Sequence, residues 1–333
     1  MKPKLKPLAE QVIVITGASS GIGLVTARKA AAAGAAVLLV SRDEAALARI
    51  AAELGDRASY AVADVGDRAA VETAAAAAVA RWGRIDTWVN NAGVTIYAAL
   101  IDTPEDEHRR LIETNYFGCV NGCLAAIPHL AESRGALITV ASIVADMPSP
   151  VMGAYAASKA AVQSYVESLR IELEAAGTPV SVTLVKPSGI DTPIADHAAN
   201  HVGGHGLIPP PVYAPELVAD AILDAAVTPR RQITVGGGGR AQALFAEHFP
   251  RVFERLAPIA ATTFIDPAKT QPQPSNLFAP ARSGRERSDV NTGRQVSLYT
   301  AAARRPKLVK GVAVAGLAVG LLALRSSSRR KEA

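Results

Sequence analysis

Two side chains that could handle a proton lie four residues apart, Tyr155 and Lys159, within a run from Gly153 to Glu174 that predicts one long helix. Residues four apart share a helix face, so the phenol and the ammonium point into the same space. A nearby positive charge favours the phenolate and lowers the pKa of a tyrosine. Such a tyrosine can give a proton to a carbonyl oxygen or take one from an alcohol. The pair alone is weak evidence, because an exposed helical pair has the same spacing.

Two further polar residues could join this pair. Ser142 follows the predicted strand Ala136 to Val140, and Asn115 lies inside a predicted helix, where asparagine is a poor helix former. Open parallel sheets bind their ligands at the carboxyl ends of the strands. The Ser142 hydroxyl is therefore expected at a binding site.

A strand and a glycine turn begin the elements that must position these residues. The β-branched run 12–16 is followed by Gly17-Ala-Ser-Ser-Gly21-Ile-Gly23, which opens an alanine-rich helix. This arrangement aims backbone N–H groups and a helix N-terminus at a diphosphate. The residues expected to bind a dinucleotide here are Thr16, Gly17, Ser19, Ser20, Gly21, Ile22 and Gly23. Further strands are predicted at 36–41, 58–62, 86–89, 136–140, 180–185 and 232–235, alternating with helices.

The spacing Gly-x-x-x-Gly-x-Gly after Thr16 resembles the classical short-chain dehydrogenase/reductase family. Later motifs occur in the order of that family: Asn90-Asn-Ala-Gly93, and then Asn115, Ser142, Tyr155 and Lys159 at the spacing of its catalytic tetrad. The resemblance covers about residues 11–236. It implies an α/β fold, a doubly wound parallel sheet of about seven strands that is Rossmann-like, here with a C-terminal extension.

The resemblance also implies a reaction. A nicotinamide cofactor would exchange a hydride with a carbonyl or alcohol carbon while Tyr155 exchanges the proton. Ser142 would hydrogen-bond the substrate oxygen, Lys159 would lower the pKa of the tyrosine and hold the nicotinamide ribose, and Asn115 would kink its helix and tether a water. A nucleotide-binding sensor or scaffold that turns nothing over is the alternative, and the intact tetrad argues against it.

Other cofactor contacts are implied by position in the family pattern. Asp64 and Val65, after the third strand, match its adenine-contacting position. Asn90, Asn91, Ala92 and Gly93 would support the cofactor side of the sheet. After the sixth strand, Pro187, Ile190 and Thr192 would contact the nicotinamide amide or the phosphates, and Ser188 stands where the family usually has glycine.

The end of the second strand bears on the choice of cofactor. An acidic residue there would accept a hydrogen bond from the ribose of NAD(H), whereas an arginine can pair with the 2′-phosphate of NADP(H). Arg42 favours NADP(H). NAD(H) stays the alternative because Asp43 follows, although Asp43 also fits the N-cap of the next helix.

The substrate is expected to be an apolar ketone, aldehyde or secondary alcohol. The positions expected around its pocket are mainly apolar: Thr95, Ile96, Ile143, Val144, Met147 and Met152. A stretch from Ala195 to Tyr213 is expected to form a substrate lid. Its histidines, His197, His201 and His205, recur every four residues, but nearby glycines would break a helix, so a polar lid is favoured over a metal site.

Composition limits the partners. The 333-residue chain has a formal charge of +5, but the excess of Lys and Arg lies after residue 281, so nucleic acid is not expected. Cys119 and Cys123 are expected to be small buried thiols, which fits a reducing compartment. No secretory signal precedes the first strand, so a cytoplasmic catalytic domain is expected. The resemblance implies a homo-dimer or homo-tetramer.

The chain is predicted to divide into a catalytic domain (1–236), an appended helical segment (237–265, with an amphipathic helix from Arg240 to Leu256), a linker or arm (266–307), an apolar helix (308–325) and a basic tail (326–333). Gly311 to Leu324 carries no charge and has basic residues on both sides. As a helix it would reach about 21 Å, against about 30 Å for a hydrocarbon core. A membrane anchor is favoured over a helix docked on the body.

Overall fold

A sheet of seven parallel strands forms the centre of the molecule in the computed structural model, which describes residues 3–272, 274–281, 284–290 and 292–304. The strands are β1 (Val12–Thr16), β2 (Ala36–Ser41), β3 (Ala58–Val62), β4 (Thr87–Asn90), β5 (Ala136–Val140), β6 (Ser181–Pro187) and β7 (Gln232–Val235). Their order across the sheet is β3-β2-β1-β4-β5-β6-β7. All seven predicted strands form, with ends within two residues of the predicted ones.

Ten α-helices accompany the sheet in the described residues. They are α1 (Gly21–Ala32), α2 (Glu44–Leu54), α3 (Arg68–Trp82), α4 (Glu105–Ile112), α5 (Gly118–Ser133), α6 (Gly153–Ala175), α7 (Pro215–Val227), α8 (Gly237–His248), α9 (Pro250–Ala261) and α10 (Leu298–Arg304). Helices α1 to α7 alternate with the strands, as a doubly wound sheet requires.

The two faces of the sheet bury separate apolar layers. Because side chains alternate along a strand, Ile13 and Ile15 face the layer that holds α1, α2 and α7, whereas Val14 faces the layer that holds α3, α5 and α6. Each of these fully buried aliphatic side chains contributes about 1.5–3 kcal/mol to folding. The long buried strands therefore fix the register of the sheet.

The sheet changes its direction of growth at β1. This strand pairs with β2 on one side and β4 on the other, so Val14 lies beside both Leu38 and Trp88. A crevice forms at the carboxyl ends of the strands where the strand order reverses, and such a crevice is where open α/β sheets bind ligands. The glycine turn between β1 and α1 lies there.

The described residues after 236 include segments that pack on the sheet and its loops. Helix α10 packs on β7 and α7, and a short strand, Ile265–Asp266, pairs antiparallel with His205–Gly206. We call residues 274–281, 284–290 and 292–297 the C-terminal arm. Both segments predicted at 308–325 and 326–333 lie outside the described residues, and the domain boundaries stay a prediction. Among the residues that are described, none of the helices has the length and apolar character needed to cross a membrane.

Candidate active site

Three of the four predicted catalytic side chains meet at the carboxyl end of β5. Ser142 follows that strand and starts a 3₁₀ turn, while Tyr155 and Lys159 lie one turn apart on α6. The hydroxyl of Ser142 hydrogen-bonds that of Tyr155. The hydroxyl pair therefore offers two groups that can bond one substrate oxygen.

Lys159 lies behind the tyrosine ring. Its Nζ atom is 5.7 Å from the centroid of the Tyr155 ring and donates a hydrogen bond of 3.1 Å to the Val140 carbonyl. Only 4% of the residue is exposed. Because burial penalises a charge, the pKa of Lys159 falls from 10.5 to about 8. The ammonium still predominates at pH 7.

The pKa of Tyr155 differs from the sequence-based expectation. Burial raises it from 10.0 to about 12, although the hydrogen bond from Ser142 acts in the opposite direction. The expected lowering by Lys159 is therefore not observed: the ammonium faces the ring and bonds a backbone carbonyl, and desolvation of the phenolate dominates. The phenol stays protonated at neutral pH and is ready to donate its proton.

Asn115 lies in a π-helical turn, Glu113–Phe117, that joins α4 to α5. Its amide is held by the protein on both sides. Nδ2 donates to the Val94 carbonyl at 2.9 Å and to the Ser158 hydroxyl at 3.0 Å, and Oδ1 accepts from the Val94 N–H at 2.8 Å. The side chain thus joins the loop after β4 to α6. Its role toward a water stays a prediction.

The glycine turn shows why its glycines are needed. Gly17 has a φ of +66°, and a Cβ there would lie 2.8 Å from the Ala92 Cα. A Cβ on Gly23 would lie 2.2 Å from the Gly17 carbonyl oxygen. At Gly21 a Cβ would come within 3.3 Å of Thr192 across the crevice. The three glycines hold the turn tight and keep its path to Thr192 open, which fits the diphosphate of a dinucleotide.

The Asn90–Gly93 motif supports this turn. The Thr16 hydroxyl accepts from the N–H groups of Asn91 at 3.0 Å and Ala92 at 3.1 Å, and Asn91 Nδ2 donates to the Thr16 carbonyl at 2.9 Å. Asn90 points into the core, where its Oδ1 accepts from Trp88 Nε1 at 2.8 Å. The side chain of Asn90 therefore acts behind the crevice wall.

Arg42 and Asp64 lie together at the far end of the crevice, 4.0 Å apart. Arg42 donates to the carbonyls of Asn276 and Leu277 in the C-terminal arm. Burial acts to raise the pKa of Asp64, but hydrogen bonds from the Arg110 guanidinium and a backbone N–H outweigh it and the pKa is lowered.

The neighbouring acid, Asp43, has a structural contact. Its Oδ1 accepts from the Ala46 N–H at 3.0 Å, which caps the N-terminus of α2. This contact confirms the N-cap that the sequence favoured for Asp43 over ribose binding.

The loop after β6 forms the opposite wall. Pro187, Ile190 and Thr192 all line the crevice. The Ser188 hydroxyl donates to the Gly236 carbonyl at 2.8 Å, so this unusual serine ties the end of β6 to the start of α8.

One cavity of about 630 Å³ connects these parts. At one end it is lined by Gly17, Ser19, Ser20, Gly21, Ile22, Arg42, Asp64, Val65, Asn91, Ala92 and Gly93, and near its centre by Ser142, Tyr155 and Lys159. The remaining predicted site residues, Thr16, Gly23, Asn90 and Asn115, lie outside this lining and hold the residues that form it. The volume is in the range of ligand pockets.

The substrate side of the cavity is mainly apolar, as expected, but its walls differ in part from the prediction. Ile143, Val144, Met147 and Met152 line it. Thr95 and Ile96 are buried away from it, because the chain there enters a short strand that pairs with Ala199–Asn200. Their place is taken by Tyr97.

The appended helices supply wall residues that the sequence did not assign to the pocket. These are Gln242, Phe245, Phe253, Leu256, Ala257, Ala260 and Phe264. The amphipathic pattern from Arg240 to Leu256 could have indicated these residues, because the apolar face of such a helix usually packs against the rest of the protein.

The three lid histidines have separate surroundings. His205 bonds Asp196 at 3.1 Å, His201 bonds Glu107 at 2.8 Å, and His197 lines the cavity. Across the part of the chain that the structure describes, no group of three His, Cys, Asp or Glu side chains could hold a metal ion.

Comparison with known proteins identifies the family. The sequence profile described as short chain dehydrogenase matches residues 11–202. The chain belongs to the short-chain dehydrogenase family. A relative from Bacillus subtilis (strain 168), the uncharacterized oxidoreductase YxnA, is 40% identical over 333 residues that cover 97% of this chain and 93% of the relative. The alignment with this relative thus takes in most of the chain after residue 202.

Two solved structures share the fold. An alcohol dehydrogenase from the archaeon Thermococcus sibiricus, complexed with 5-hydroxy-NADP, matches at a TM-score of 0.60 and 27% identity over 68% of this chain and 95% of that chain. A 3-ketoacyl-(acyl-carrier-protein) reductase from Brucella melitensis, complexed with NADH, matches at a TM-score of 0.61. It is 28% identical, and the match covers 69% of this chain and 98% of that chain. As a short-chain dehydrogenase, the present protein is an NAD(P)-dependent oxidoreductase.

Proposed function

We propose that the protein interconverts apolar carbonyl compounds and alcohols with NADP(H), and that Tyr155 transfers the proton. One observation carries the proposal: the hydrogen-bonded hydroxyls of Tyr155 and Ser142 face a largely apolar cavity that continues to the glycine turn. The two hydroxyls lie between the apolar part of the cavity and the glycine turn. A carbonyl group placed there could be reached by both hydroxyls and by a bound dinucleotide, as its reduction requires.

In the reductive direction, the cofactor, Tyr155 and Ser142 have separate roles. The nicotinamide, when bound, supplies the hydride that adds to the carbonyl carbon. Tyr155, protonated at pH 7 because its pKa is about 12, gives its proton to the carbonyl oxygen, so that C=O becomes CH–OH. Ser142 donates a hydrogen bond to the same oxygen as negative charge develops there.

Lys159 stabilises the state that follows proton donation. With a pKa of about 8 it is mainly an ammonium at pH 7, and it lies 5.7 Å from the centroid of the Tyr155 ring. A positive charge at this distance favours the tyrosinate that remains after the proton has left. Lys159 also faces the crevice, where it would hold the nicotinamide ribose.

Arg42 supports the preference for NADP(H). Its guanidinium lies at the end of the cavity opposite the tyrosine, where the adenosine ribose would sit, and Asp43 beside it is occupied as a helix cap. A charge-assisted bond from arginine to a phosphate contributes about 1.5–3 kcal/mol. We therefore expect Arg42→Ala to weaken NADPH binding about tenfold or more, with little effect on NADH.

Calorimetric titration of both cofactors tests the Arg42 assignment. Arg68→Ala is a matched control because Arg68 lies on α3 in an exposed ion pair with Glu72. Equal loss of affinity for both cofactors in Arg42→Ala, or tighter binding of NADH than NADPH by the unmodified protein, would refute the NADP(H) preference.

The reaction itself is tested with a panel of apolar ketones and aldehydes, each matched to an analogue that carries a carboxylate. We expect NADPH oxidation with the apolar members, and transfer of deuterium from 4-deuterated NADPH to the product carbon. Loss of NADPH absorbance without deuterium in the product would contradict hydride transfer to the carbonyl. Equal rates with the carboxylate analogues would contradict the apolar specificity.

A further inference from the structure

The C-terminal arm lies along the cofactor side of the cavity. Its residues Asn276, Pro280 and Ala281 line the same cavity as the glycine turn. Next to them, the Gly284 N–H donates to the Ser19 carbonyl at 2.7 Å, and the Gly21 N–H donates to the Arg285 carbonyl at 2.9 Å. The arm is therefore bonded to the backbone of the turn that is expected to bind the diphosphate.

The arm is also fixed at the Arg42 end of the cavity. Arg42 Nη1 and Arg110 Nε both donate to the Leu277 carbonyl, at 3.2 and 3.1 Å. The Leu277 side chain is fully buried and packs in an apolar cluster with Val94 and Ala154. This anchor places the start of the arm beside the guanidinium that is proposed to read the 2′-phosphate.

At the other end the arm holds the loop after β6. The buried carboxylate of Asp191, next to Thr192, accepts from the Ser288 N–H at 3.2 Å, from the Ser288 hydroxyl at 2.8 Å and from the Gly293 N–H at 3.3 Å. Arg287 bonds the same carboxylate at 3.2 Å. The arm thus reaches the wall that faces the glycine turn.

Ion pairs reinforce these backbone contacts. Arg287 binds both carboxylate oxygens of Glu216 at 2.7 Å, and Arg285 pairs with Asp196 at 3.0 Å. The arginine side chains are 32% and 40% exposed. Partly exposed pairs of this kind are individually weak and are screened by salt, so the contacts can break and reform.

We propose that the C-terminal arm is the outer wall of the dinucleotide site and must open for the cofactor to enter or leave. The inference rests on the proposed function only in that a nicotinamide dinucleotide occupies the cavity. Because residues of the arm and of the glycine turn line one cavity, a cofactor bound in that cavity would lie against the arm. It cannot pass the bonds that join Gly284 and Arg285 to the turn until they break. The arm therefore sets the rate of cofactor exchange.

Rapid-mixing fluorescence on the full chain tests the arm. Release is followed by mixing the NADPH complex with excess NADP⁺, and association by mixing protein with NADPH. Arg287→Ala removes the bonds to Asp191 and Glu216, and we expect both rate constants to rise about tenfold while the dissociation constant changes much less. High salt should accelerate release from the unmodified protein.

A second variant loosens the arm by another route. Gly284 has a φ of +98°, which an alanine adopts only with strain, so Gly284→Ala should also raise both rates. Arg68→Ala, which removes an exposed ion pair on α3, is the control and should change neither rate.

Three results would overturn the proposal. The first is that both rate constants are unchanged in both arm variants. The second is faster release with unchanged association, which would indicate a lost contact with the cofactor. The third is that the protein binds neither NADPH nor NADH. A failed preference for NADPH is a separate result. If NADH binds more tightly, the NADP(H) preference is wrong, and the same experiment with NADH still decides the role of the arm.

Discussion

Replacing Lys159 by methionine removes a positive charge that the fold buries. The difference between the ordinary lysine pKa of 10.5 and the value of about 8 in the folded protein corresponds to about 3 kcal/mol, the cost of keeping this group charged at neutral pH. Methionine has a similar length and no charge, but it loses the hydrogen bond to the Val140 carbonyl, which contributes about 1 kcal/mol. We expect Lys159→Met to raise the free energy of unfolding at pH 7 by about 2 kcal/mol.

The gain should depend on pH in a defined direction. The folded-state pKa of Lys159 is lower than its unfolded value, so the unfolded chain binds more protons between pH 8 and 10.5. The penalty on the unmodified protein is complete below pH 8 and fades as the pH rises toward 10.5. At pH 10 the remaining penalty is less than about 1 kcal/mol, so the variant should then have no advantage.

Urea unfolding at pH 7 and pH 10 measures both values. Lys29→Met is the matched control, because Lys29 lies on the surface in an ion pair with Asp220 and should show a small effect. A Lys159→Met variant that is less stable than the unmodified protein at pH 7 would refute the reasoning, as would an equal gain at both pH values.

Three further predictions concern the site and its support. Reductive kcat/KM should fall above about pH 8 as Lys159 loses its proton, and a profile that is flat to pH 10 would contradict this role. Gly122→Ala should lower the free energy of unfolding by about 2–4 kcal/mol, since its Cβ would lie 2.0 Å from Asn90 Oδ1. Urea unfolding should show a cost of only about 1 kcal/mol for Gly55→Ala, whose Cβ meets no atom within 4 Å. Phe253→Ala should raise KM about tenfold for bulky apolar carbonyls and little for small ones, and equal changes would exclude Phe253 from the substrate wall.

The parts of the site that depend on local periodicity could be predicted from the sequence. The spacing of Tyr155 and Lys159 is a helix repeat, and the β-branched runs give the seven strands almost residue by residue. Ser142 could be placed because the end of a parallel strand points toward the ligand crevice.

The remaining features depend on contacts between distant parts of the chain. The pKa of Tyr155 is raised because the folded chain excludes water from the phenol. The residues beside Tyr155 in the sequence do not reveal this burial. The arm has no apolar period, and its path is fixed by pairs such as Arg285 with Asp196, 89 positions apart. The misplacement of Thr95 and Ile96 has the same origin, since their strand partner lies near residue 199.

Tyr155→Phe tests the central claim most directly, because it removes one hydroxyl and keeps the ring that Lys159 faces. Turnover should be measured with NADPH and an active carbonyl from the panel, and NADPH affinity by calorimetry on the same preparation. We expect turnover to fall by about a thousandfold while NADPH affinity stays within about twofold of the unmodified value. A variant that binds NADPH normally and retains turnover within about tenfold would show that Tyr155 is not the proton donor.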